Sequence, residues 1–411
     1  MQQLAKGMWH LGSTTTISPD RRRPAANLGA IATEVTDRIT SIPADSWNAL
    51  AGDDDPFLEH GFLAALEESG SVGPHAGIVP RLVLVRDGDR LVGAVPLYLK
   101  SNSYGEFIFD WAWANGAQRA GIRYYPKLVA AIPFTPATGR RLLIAPGANV
   151  DEVRARLLAG VRAVADQERV SSVHFLFCTE DEADWLAENA FARRLSMQFH
   201  WRNRATQPYA SYEDFLSEMK SRHRKQLRHE REIATSHGLT LRTLTGTELD
   251  ANTWRALRDF YDANANKHGA HHYLTPSFFD RMKATHAHRL VATLAFRGDR
   301  PIAGTINFEK GRHLYGRYWG CLEELPMLHF ELCYHRLIER AIERGYTRFE
   351  AGAQGEHKLK RGLTPALTYS AHLIHHPQLR ASINDFIARE AEAVLAEVRG
   401  YAELSPFRVT A

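Results

Sequence analysis

Two similar hairpin patterns, one in each half of the chain, constrain the fold more than any other feature of the sequence. Each has two apolar runs around a short polar turn. In the first half the runs are 81–86 and 91–99 and the turn is 87–90. In the second half the runs are 289–297 and 301–308 and the turn is 298–300. An Asp-Gly or Gly-Asp turn between strand-like runs is a strong signal for a β-hairpin. Both turns contain Gly-Asp-Arg, and both second runs contain a glycine, Gly93 or Gly304. The repetition favours an internal duplication, with one copy in each domain.

The similarity between the two halves continues after the hairpins. The sequence FIFDWAW at 107–113 parallels HLYGRYW at 313–319, which aligns Trp113 with Trp319 on a predicted central strand. Further on, 125–128 parallels 334–337. The alternative is that two unrelated α/β domains simply share hairpins, which are common in mixed sheets. The shared turn residues and the steady spacing favour duplication.

The length of 411 residues predicts two domains. We place them at 31–205 and 206–411, after a disordered leader at 1–30 that has three consecutive arginines but no apolar segment typical of a signal peptide. The alternative for the leader is a start codon assigned too early. Outside the hairpins, the patterns predict strands at 173–178, 195–201, 346–351 and 368–375 and helices at 182–189, from 211, at 331–344 and at 377–403. This order predicts an α/β (α+β) class with mixed sheets flanked by helices.

Composition argues against several classes of protein. A net charge of +4 does not by itself mark a nucleic-acid-binding protein, although it suits an anionic ligand. The three cysteines form neither a disulfide framework nor a zinc motif, which predicts a reducing compartment and a cytoplasmic location. No apolar run is long enough for a transmembrane helix. The 20 histidines include no HExxH-like frame, so we predict no metal site.

The segment most informative about function is 349–362, with the sequence FEAGAQGEHKLKRG. A predicted strand ends at Glu350, and a loop with several glycines follows it. Such loops are where open α/β sheets bind ligands. Five ionisable side chains then occupy six positions: Glu356, His357, Lys358, Lys360 and Arg361. A carboxylate or imidazole can accept a proton from an attacking amine, and cations can hold an anion or stabilise an oxyanion. The alternative is a solvated charged loop.

A basic segment follows the predicted domain boundary. Six cations fall within twelve positions: Lys220, Arg222, Arg224, Lys225, Arg228 and Arg231. One interpretation is an electrostatic contact with tRNA or another polyanion. The interpretation that we favour is a solvated helix face, because Glu230 and Glu232 balance part of the charge and no aromatic side chain is interleaved.

The segment 349–362, with Pro365 and TYSAH at 368–372, resembles the C-terminal signature of FemAB-like N-acyltransferases of the GNAT superfamily. Further segments that carry this resemblance are 124–143, 197–203 with 212–232, and Tyr273-Leu274-Thr275 before Phe278-Phe279. Together they extend over about residues 55–376. The resemblance implies two tandem GNAT domains and an enzyme that acylates a primary amine.

The resemblance also bears on the substrates. Better-known Fem relatives transfer an amino acid from aminoacyl-tRNA to the peptide of a cell-wall precursor. In them a lysine shortly before a glycine of this last loop helps to hold the acceptor's diphosphate, and Lys358, before Gly362, is the matching position. Standard acetyl-CoA enzymes use a glycine-rich pyrophosphate turn, whereas 320–329 lacks that motif and contains two acids. Acyl-CoA and aminoacyl-tRNA both stay open as co-substrate, and no covalently bound cofactor is expected.

We therefore hypothesise direct acyl or aminoacyl transfer to an amine of a small molecule or peptide, such as a peptidoglycan precursor. The candidate residues are catalytic Glu350, Glu356 and His357 and substrate-binding Lys358, Lys360, Arg361, Trp319, Tyr273 and Gln354. The second domain would carry the site, because the first lacks the charged cluster. The alternative is a non-catalytic module that recognises a cell-wall precursor or another anionic ligand. Among partners, tRNA is a candidate and DNA is not, and the oligomeric state is not predicted.

Overall fold

A computed structural model describes residues 15–16, 31–352 and 355–408. The predicted leader, apart from Thr15–Thr16, and Gln354 lie outside the described residues. The chain divides into two compact units. The first holds the described residues up to Gly52, Leu58–Arg194 and Tyr369–Ala388, and the second holds Asp53–Phe57, Leu195–Thr368 and the described residues from Arg389 onwards.

The first unit contains two β-sheets and five α-helices that lie entirely within it. Its strands are β1 Thr15–Thr16, β2 Ile31–Thr36, β3 Ile78–Pro80, β4 Leu82–Asp87, β5 Arg90–Val95, β6 Leu97–Lys100, β7 Lys127–Ala130, β8 Leu143–Ile144 and β9 Ser172–Cys178. Its helices are α1 Ala44–Asn48, α2 His60–Glu68, α3 Trp111–Arg119, α4 Val150–Gln167 and α5 Glu180–Glu188. One sheet is antiparallel in the order β1-β2-β4-β5-β8, and the other runs β3-β6-β7-β9, with β7 and β9 parallel.

The second unit is built on a mixed sheet. The remaining strands are β10 Ala192–Arg202, β11 Thr240–Thr245, β12 Leu290–Arg297, β13 Arg300–Lys310, β14 His313–Cys321, β15 Arg348–Glu350 and β16 Thr364–Ile374. The remaining helices are α6 Tyr212–Ser217, α7 Ser221–Ser236, α8 Ala251–Lys267, α9 Pro276–Thr285, α10 Leu328–Phe330, α11 Arg336–Glu343 and α12 Pro377–Glu403. A π-helical turn, Glu331–His335, joins α10 to α11. The strand order is β11-β12-β13-β14-β15-β10, and only β14 and β15 are parallel to each other.

Both predicted hairpins are present, and they share more than their turns. The first is β4–β5 and the second β12–β13, and each has a register shift in its first strand, after Val85 and after Ala295. A Cβ on Gly93 would lie 2.4 Å from Val153 of α4, and one on Gly304 would lie 3.2 Å from the ring of Phe260 of α8. In both units, therefore, a glycine in the second strand lets a helix approach the sheet closely.

The similarity that the sequence suggests after the hairpins is not found in the structure. Trp319 lies on β14 as predicted, but Trp113 lies on α3. Trp113 and Ala117 are spaced one helical turn apart, and both are buried against Tyr124 and Ile374. This packing favours a helix where the alignment predicts a strand. The second parallel fails as well, because 127–130 is strand β7 and 334–337 is helical.

Most other local predictions are confirmed. The predicted strands at 173–178 and 195–201 correspond to β9 and β10, and the predicted helix at 377–403 is α12. The Ser211 hydroxyl accepts a hydrogen bond from the Asp214 amide, so Ser211 caps α6 as expected. The mixed α/β class is also confirmed.

The hydrophobic core of the second unit fixes the position of its central strands. Helices α6, α7 and α11 pack on β10 and β15 through Phe215, Leu227 and Leu337, which meet Trp201 and Phe349. All five side chains are at most 1% exposed. The carboxyl end of β15 is therefore held by large buried residues.

The units are not continuous in sequence, whereas the predicted boundary near residue 205 treats them as two uninterrupted segments. Tyr369–Ala388 belongs to the first unit. The reason is strand pairing, because residues 369–374 of β16 pair antiparallel with β9. The longest segment of the first unit ends at Arg194, and the longest segment of the second unit begins at Leu195.

Candidate functional site

The parallel strands β14 and β15 pair over only three residues and then separate. His313–Tyr315 pairs with Arg348–Glu350, but β14 continues to Cys321. Within the described part of the chain, the pairing of β14 with β15 does not extend beyond Tyr315. A β-bulge at Arg317 also interrupts the pairing with β13. The free edge of β14 can therefore offer amide and carbonyl groups to an extended ligand.

The loop after β15 reaches this edge through glycines with positive φ. Gly352 has a φ of 82°, and a Cβ there would lie 3.9 Å from the carbonyl oxygen of Gly316. Gly355 has a φ of 117° and precedes a 3₁₀ turn at Glu356–Arg361, which Gly362 ends with a φ of 81°. Glycine adopts such angles without steric cost. The predicted charged cluster is thus a short, tightly wound turn beside the edge of β14.

A cluster of aromatic rings joins β14 to this turn. The ring centroids of Trp319 and His329 are 5.1 Å apart, and those of His329 and His357 are 6.2 Å apart. The rings of Phe330 and Tyr334 lie 5.5 and 5.6 Å from His357. The Tyr334 hydroxyl and His357 Nε2 are within hydrogen-bond distance at 2.9 Å. His357 and Trp319, both predicted site residues, therefore belong to one ring cluster.

Burial changes the ionisation of three bases in this region. The Lys358 side chain is buried and donates a hydrogen bond to the Gly352 carbonyl at 2.9 Å, and burial lowers its pKa to about 8. Burial, followed by the neighbouring charges of Arg361 and Lys358, also lowers the pKa of His357. For His329, burial lowers the pKa to about 4. At neutral pH both imidazoles are uncharged, so His357 can accept a proton, while most of Lys358 stays protonated.

Arg361 is buried and holds the turn in place. Its Nε donates to a carboxylate oxygen of Glu230 at 3.0 Å, Nη2 lies 2.9 Å from the same oxygen, and Nη1 donates to the His357 carbonyl at 2.7 Å. The guanidinium lies 3.3 Å from the centroid of the Phe330 ring. His335 Nε2 lies 3.3 Å from that Glu230 oxygen. Arg361 therefore links the turn to α7 and to the π-helical turn.

Glu350 lies in a different environment from His357. Its carboxylate is 2% exposed, with Oε1 3.1 Å from Arg348 Nε and Oε2 4.0 Å from His200 Nε2. Burial, followed by the charge of Arg348, lowers the pKa of His200. Arg348 is thus a cation that pairs with Glu350.

Glu356 and Lys360 point away from the ring cluster. Glu356 is exposed and lines a groove of about 310 Å³ together with Met197, Phe199 and Tyr401. Burial and a hydrogen bond to Glu356 raise the pKa of Tyr401 to about 12. Lys360 is exposed on another side. Burial, then the charges of Lys220, Arg222 and Lys360, lowers the pKa of His223, so all three cations act on this imidazole.

Two predicted residues remain, Tyr273 and Gln354. Tyr273 lies on the segment between α8 and α9, with its ring 6.2 Å from that of His271. Gln354 lies outside the described residues. The structure therefore brings together His357, Lys358, Arg361 and Trp319, whereas Glu350 lies beside Arg348 and the side chains of Glu356 and Lys360 are exposed.

Sequence reasoning did not identify four residues of this arrangement, namely His329, Phe330, Tyr334 and Glu230. Glu230 was interpreted as part of a solvated face, but it is 4% exposed. It shares the buried side of α7 with Leu227 and Ala234, at a spacing that follows the helical period. That spacing is the signal in the sequence that could have indicated its burial.

Several solved structures have a similar fold. The chain is similar to FemX, with 12% identity and a TM-score of 0.51 over 84% of this chain and 98% of that chain. It is similar to the C-terminal DUF2156 domain of a protein described as a lysylphosphatidylglycerol synthetase from Agrobacterium fabrum, with 9% identity and a TM-score of 0.52 over 84% and 96%. It is also similar to a conserved protein of unknown function from Bacteroides thetaiotaomicron, with 10% identity and a TM-score of 0.50 over 83% and 99%. At these identities the likeness concerns the fold.

Comparison with curated proteins finds no match. Residues 38–409 match the family described as FemAB-like, peptidoglycan biosynthesis/recognition. This match confirms the resemblance to the FemAB-like family inferred from the sequence, and the similarity to FemX supports the predicted mixed α/β fold. No helix among the described residues has the length and apolar character needed to cross a bilayer.

Proposed function

The chain belongs to the FemAB-like family of peptidoglycan biosynthesis and recognition, and from this premise we propose that it is an N-acyltransferase that transfers an acyl or aminoacyl group to a primary amine. The acceptor class that fits the family is the amine of a peptidoglycan-precursor peptide. The observation that carries the proposal is the free edge of β14 at 316–321, next to a turn that holds His357 and Lys358.

The free edge provides a place for the activated carbonyl. An extended donor can pair with the amides and carbonyls of 316–321 as an additional strand would. Trp319 lies on this part of the strand and is only partly buried. The donor's ester or thioester would then lie between β14 and the turn, within a site where few water molecules compete.

His357 is the best candidate for accepting the proton. An acceptor amine has an ordinary pKa of about 10 and must lose a proton before it attacks. The imidazole is neutral at pH 7 because burial lowers its pKa, and the Tyr334 hydroxyl at 2.9 Å orients it. As the N–C bond forms, the bond from the carbonyl carbon to sulfur or oxygen breaks, and the leaving group takes a proton.

Lys358 and Arg361 take different roles in this proposal. The Lys358 ammonium, on the turn beside the edge of β14, would stabilise the oxyanion that develops on the carbonyl oxygen. Arg361 is already paired with Glu230, so we assign it a positioning role rather than phosphate binding. Glu350 is paired with Arg348 and Glu356 faces a separate groove, which leaves His357 as the preferred base.

The donor stays open between acyl-CoA and aminoacyl-tRNA. Lys360, Lys220 and Arg222 form an exposed cationic group near the turn, which suits the phosphates of either donor. The two donors can be separated without an acceptor. A CoA thioester that binds raises the melting temperature of the protein, whereas tRNA binding weakens steeply as salt is added.

The proposal is tested by incubating the full chain with each donor class and a precursor peptide that carries a free amine. Mass spectrometry of the peptide is expected to show the mass of the added group. His357→Gln should lower turnover by about 10²–10⁴-fold, and Lys358→Met by about 10²–10³-fold, if they act as base and oxyanion partner. Lys283→Met, an exposed lysine on α9, is the matched control.

Two results would contradict the proposal. Unchanged turnover in both site variants would remove the turn from the chemistry. Tight binding of the precursor without transfer from either donor would favour a non-catalytic recognition module, which is the alternative interpretation of the sequence.

A further inference from the structure

A segment of the first unit, Ser101–Trp111, has its charged side chains inside and its aromatic side chains outside. Glu106 and Asp110 are 7% and 3% exposed, whereas Tyr104, Phe109 and Trp111 are 44%, 49% and 37% exposed. Burying carboxylates costs free energy, and exposing large rings forgoes the gain from burying them. A segment with this inverted pattern is a candidate interaction surface.

The buried acids anchor the segment to the two lysines at the ends of neighbouring strands. Lys127 is fully buried and donates to Glu106 at 2.8 Å, and it also donates to Asp110. Lys100 Nζ lies 3.3 Å from Glu106 and donates to the Tyr104 carbonyl at 2.7 Å. The two cations and two carboxylates balance one another, so the cluster can stay buried.

Backbone contacts hold the same segment in one conformation. Phe107 has a φ of 61°, which is rare for a bulky residue. Arg194 donates to the Phe109 carbonyl at 3.0 Å. The rings of Tyr104 and Trp111 meet edge to face, with centroids 5.2 Å apart. The aromatic side chains are therefore presented by a fixed backbone rather than by a loose loop.

Two exposed arginines follow the aromatic residues in sequence. Arg119, at the end of α3, and Arg123 shortly after it are exposed. Between residues 101 and 150 the only acids are Glu106 and Asp110, which are buried. Among the described residues, the exposed large hydrophobic side chains that are aromatic all lie in this segment. The surface thus combines exposed rings and cations without an exposed carboxylate of its own segment.

We propose that Tyr104, Phe109 and Trp111, flanked by Arg119 and Arg123, form a docking surface for an anionic lipid bilayer. Amphipathic aromatic rings favour the headgroup region of a membrane, and cations are attracted to anionic lipids. The inference goes beyond the transferase proposal and does not depend on it.

The test is co-sedimentation of the full chain with vesicles of phosphatidylcholine, either alone or mixed with phosphatidylglycerol. The wild type is expected to bind the mixed vesicles more tightly. Replacement of all three aromatic residues by serine should weaken this binding by at least about tenfold. Replacing Arg119 and Arg123 by glutamine should weaken binding to the anionic vesicles by about fivefold for each arginine and leave binding to neutral vesicles unchanged.

The matched control carries Leu322→Ser and Leu404→Ser, which remove two exposed apolar side chains elsewhere. Circular dichroism checks that each variant is folded. The proposal is overturned if the wild type does not sediment with anionic vesicles, or if the triple variant binds as tightly as the control. It is also overturned if light scattering shows a dimer that only the triple variant dissociates, because the rings would then join two copies of the chain.

Discussion

At the scale of single residues, the buried lysine of the candidate site is the most informative group. Lys358 is 3% exposed, and its ammonium keeps one hydrogen bond, to the Gly352 carbonyl. Desolvation disfavours the charged form, and it lowers the pKa from 10.5 to about 8. Such a lysine changes its charge close to physiological pH, which is useful in a site that handles protons.

This shift predicts how stability depends on pH. Below pH 8 the lysine is protonated in both folded and unfolded chains, so its burial costs free energy. Between pH 8 and 10.5 Lys358 is mostly protonated in the unfolded chain but not in the folded one, and the unfolding free energy of the wild type should therefore rise with pH. Between these pH values, the unfolding free energy of the wild type should rise by on the order of 3 kcal/mol more than that of Lys358→Met.

The measurement is denaturant unfolding of both proteins at pH 7 and pH 10.5. Lys360→Met is the matched control, because the ammonium of this exposed side chain stays in water on folding. If the difference between Lys358→Met and wild type is the same at both pH values, the proposed cost of burying the ammonium is wrong.

At the scale of secondary-structure elements, the π-helical turn Glu331–His335 shapes the site. A π turn inserts an extra residue and changes which side chains face a neighbouring element. Here Tyr334 contacts His357, and the next residue, His335, lies 2.6 Å from the Tyr212 hydroxyl and 3.3 Å from Glu230. The adjacent residues Tyr334 and His335 thus contact the proposed base, His357, and Glu230, which holds the turn through Arg361.

The contact between β14 and α8 yields a second prediction. A Cβ on Gly320 would lie 1.9 Å from the carbonyl oxygen of Phe260, a backbone atom that cannot move aside. Gly320→Ala should therefore destabilise the protein by about 3 kcal/mol or more. Gly116→Ala on α3 is the matched control, since nothing lies within 4 Å of its Cβ and alanine favours a helix by about 1 kcal/mol. Equal unfolding midpoints in urea for the two variants would contradict the predicted contact.

At the scale of the whole molecule, the chain enters the first unit again near its end. Residues 369–374 of β16 pair with β9, and Leu379, Ile383 and Ile387 of α12 pack against α3. A fragment that ends at the predicted boundary lacks this strand and half of that core. An uncovered strand edge and an exposed apolar surface both favour aggregation.

We therefore predict that fragment 31–205 does not form a stable monomer. Fusion of 364–388 to its end through a flexible linker should restore a folded monomer, because it supplies the missing strand and helix. Size-exclusion chromatography and circular dichroism distinguish the two outcomes. A stable monomer of 31–205 alone would show that the first unit does not need its distant segment.

The sequence by itself determined the local elements and the family. Hairpin turns, helical periods and caps depend on neighbouring residues, so the patterns around Gly88, Gly298 and Ser211 were sufficient. The tertiary structure decided which side chains meet. In a 3₁₀ turn, residues three apart share a face and adjacent ones do not, so Lys358 and Arg361 are buried together while Glu356 faces another groove. The helix at Trp113 likewise depended on packing partners that are distant in sequence, such as Ile374 and Leu379.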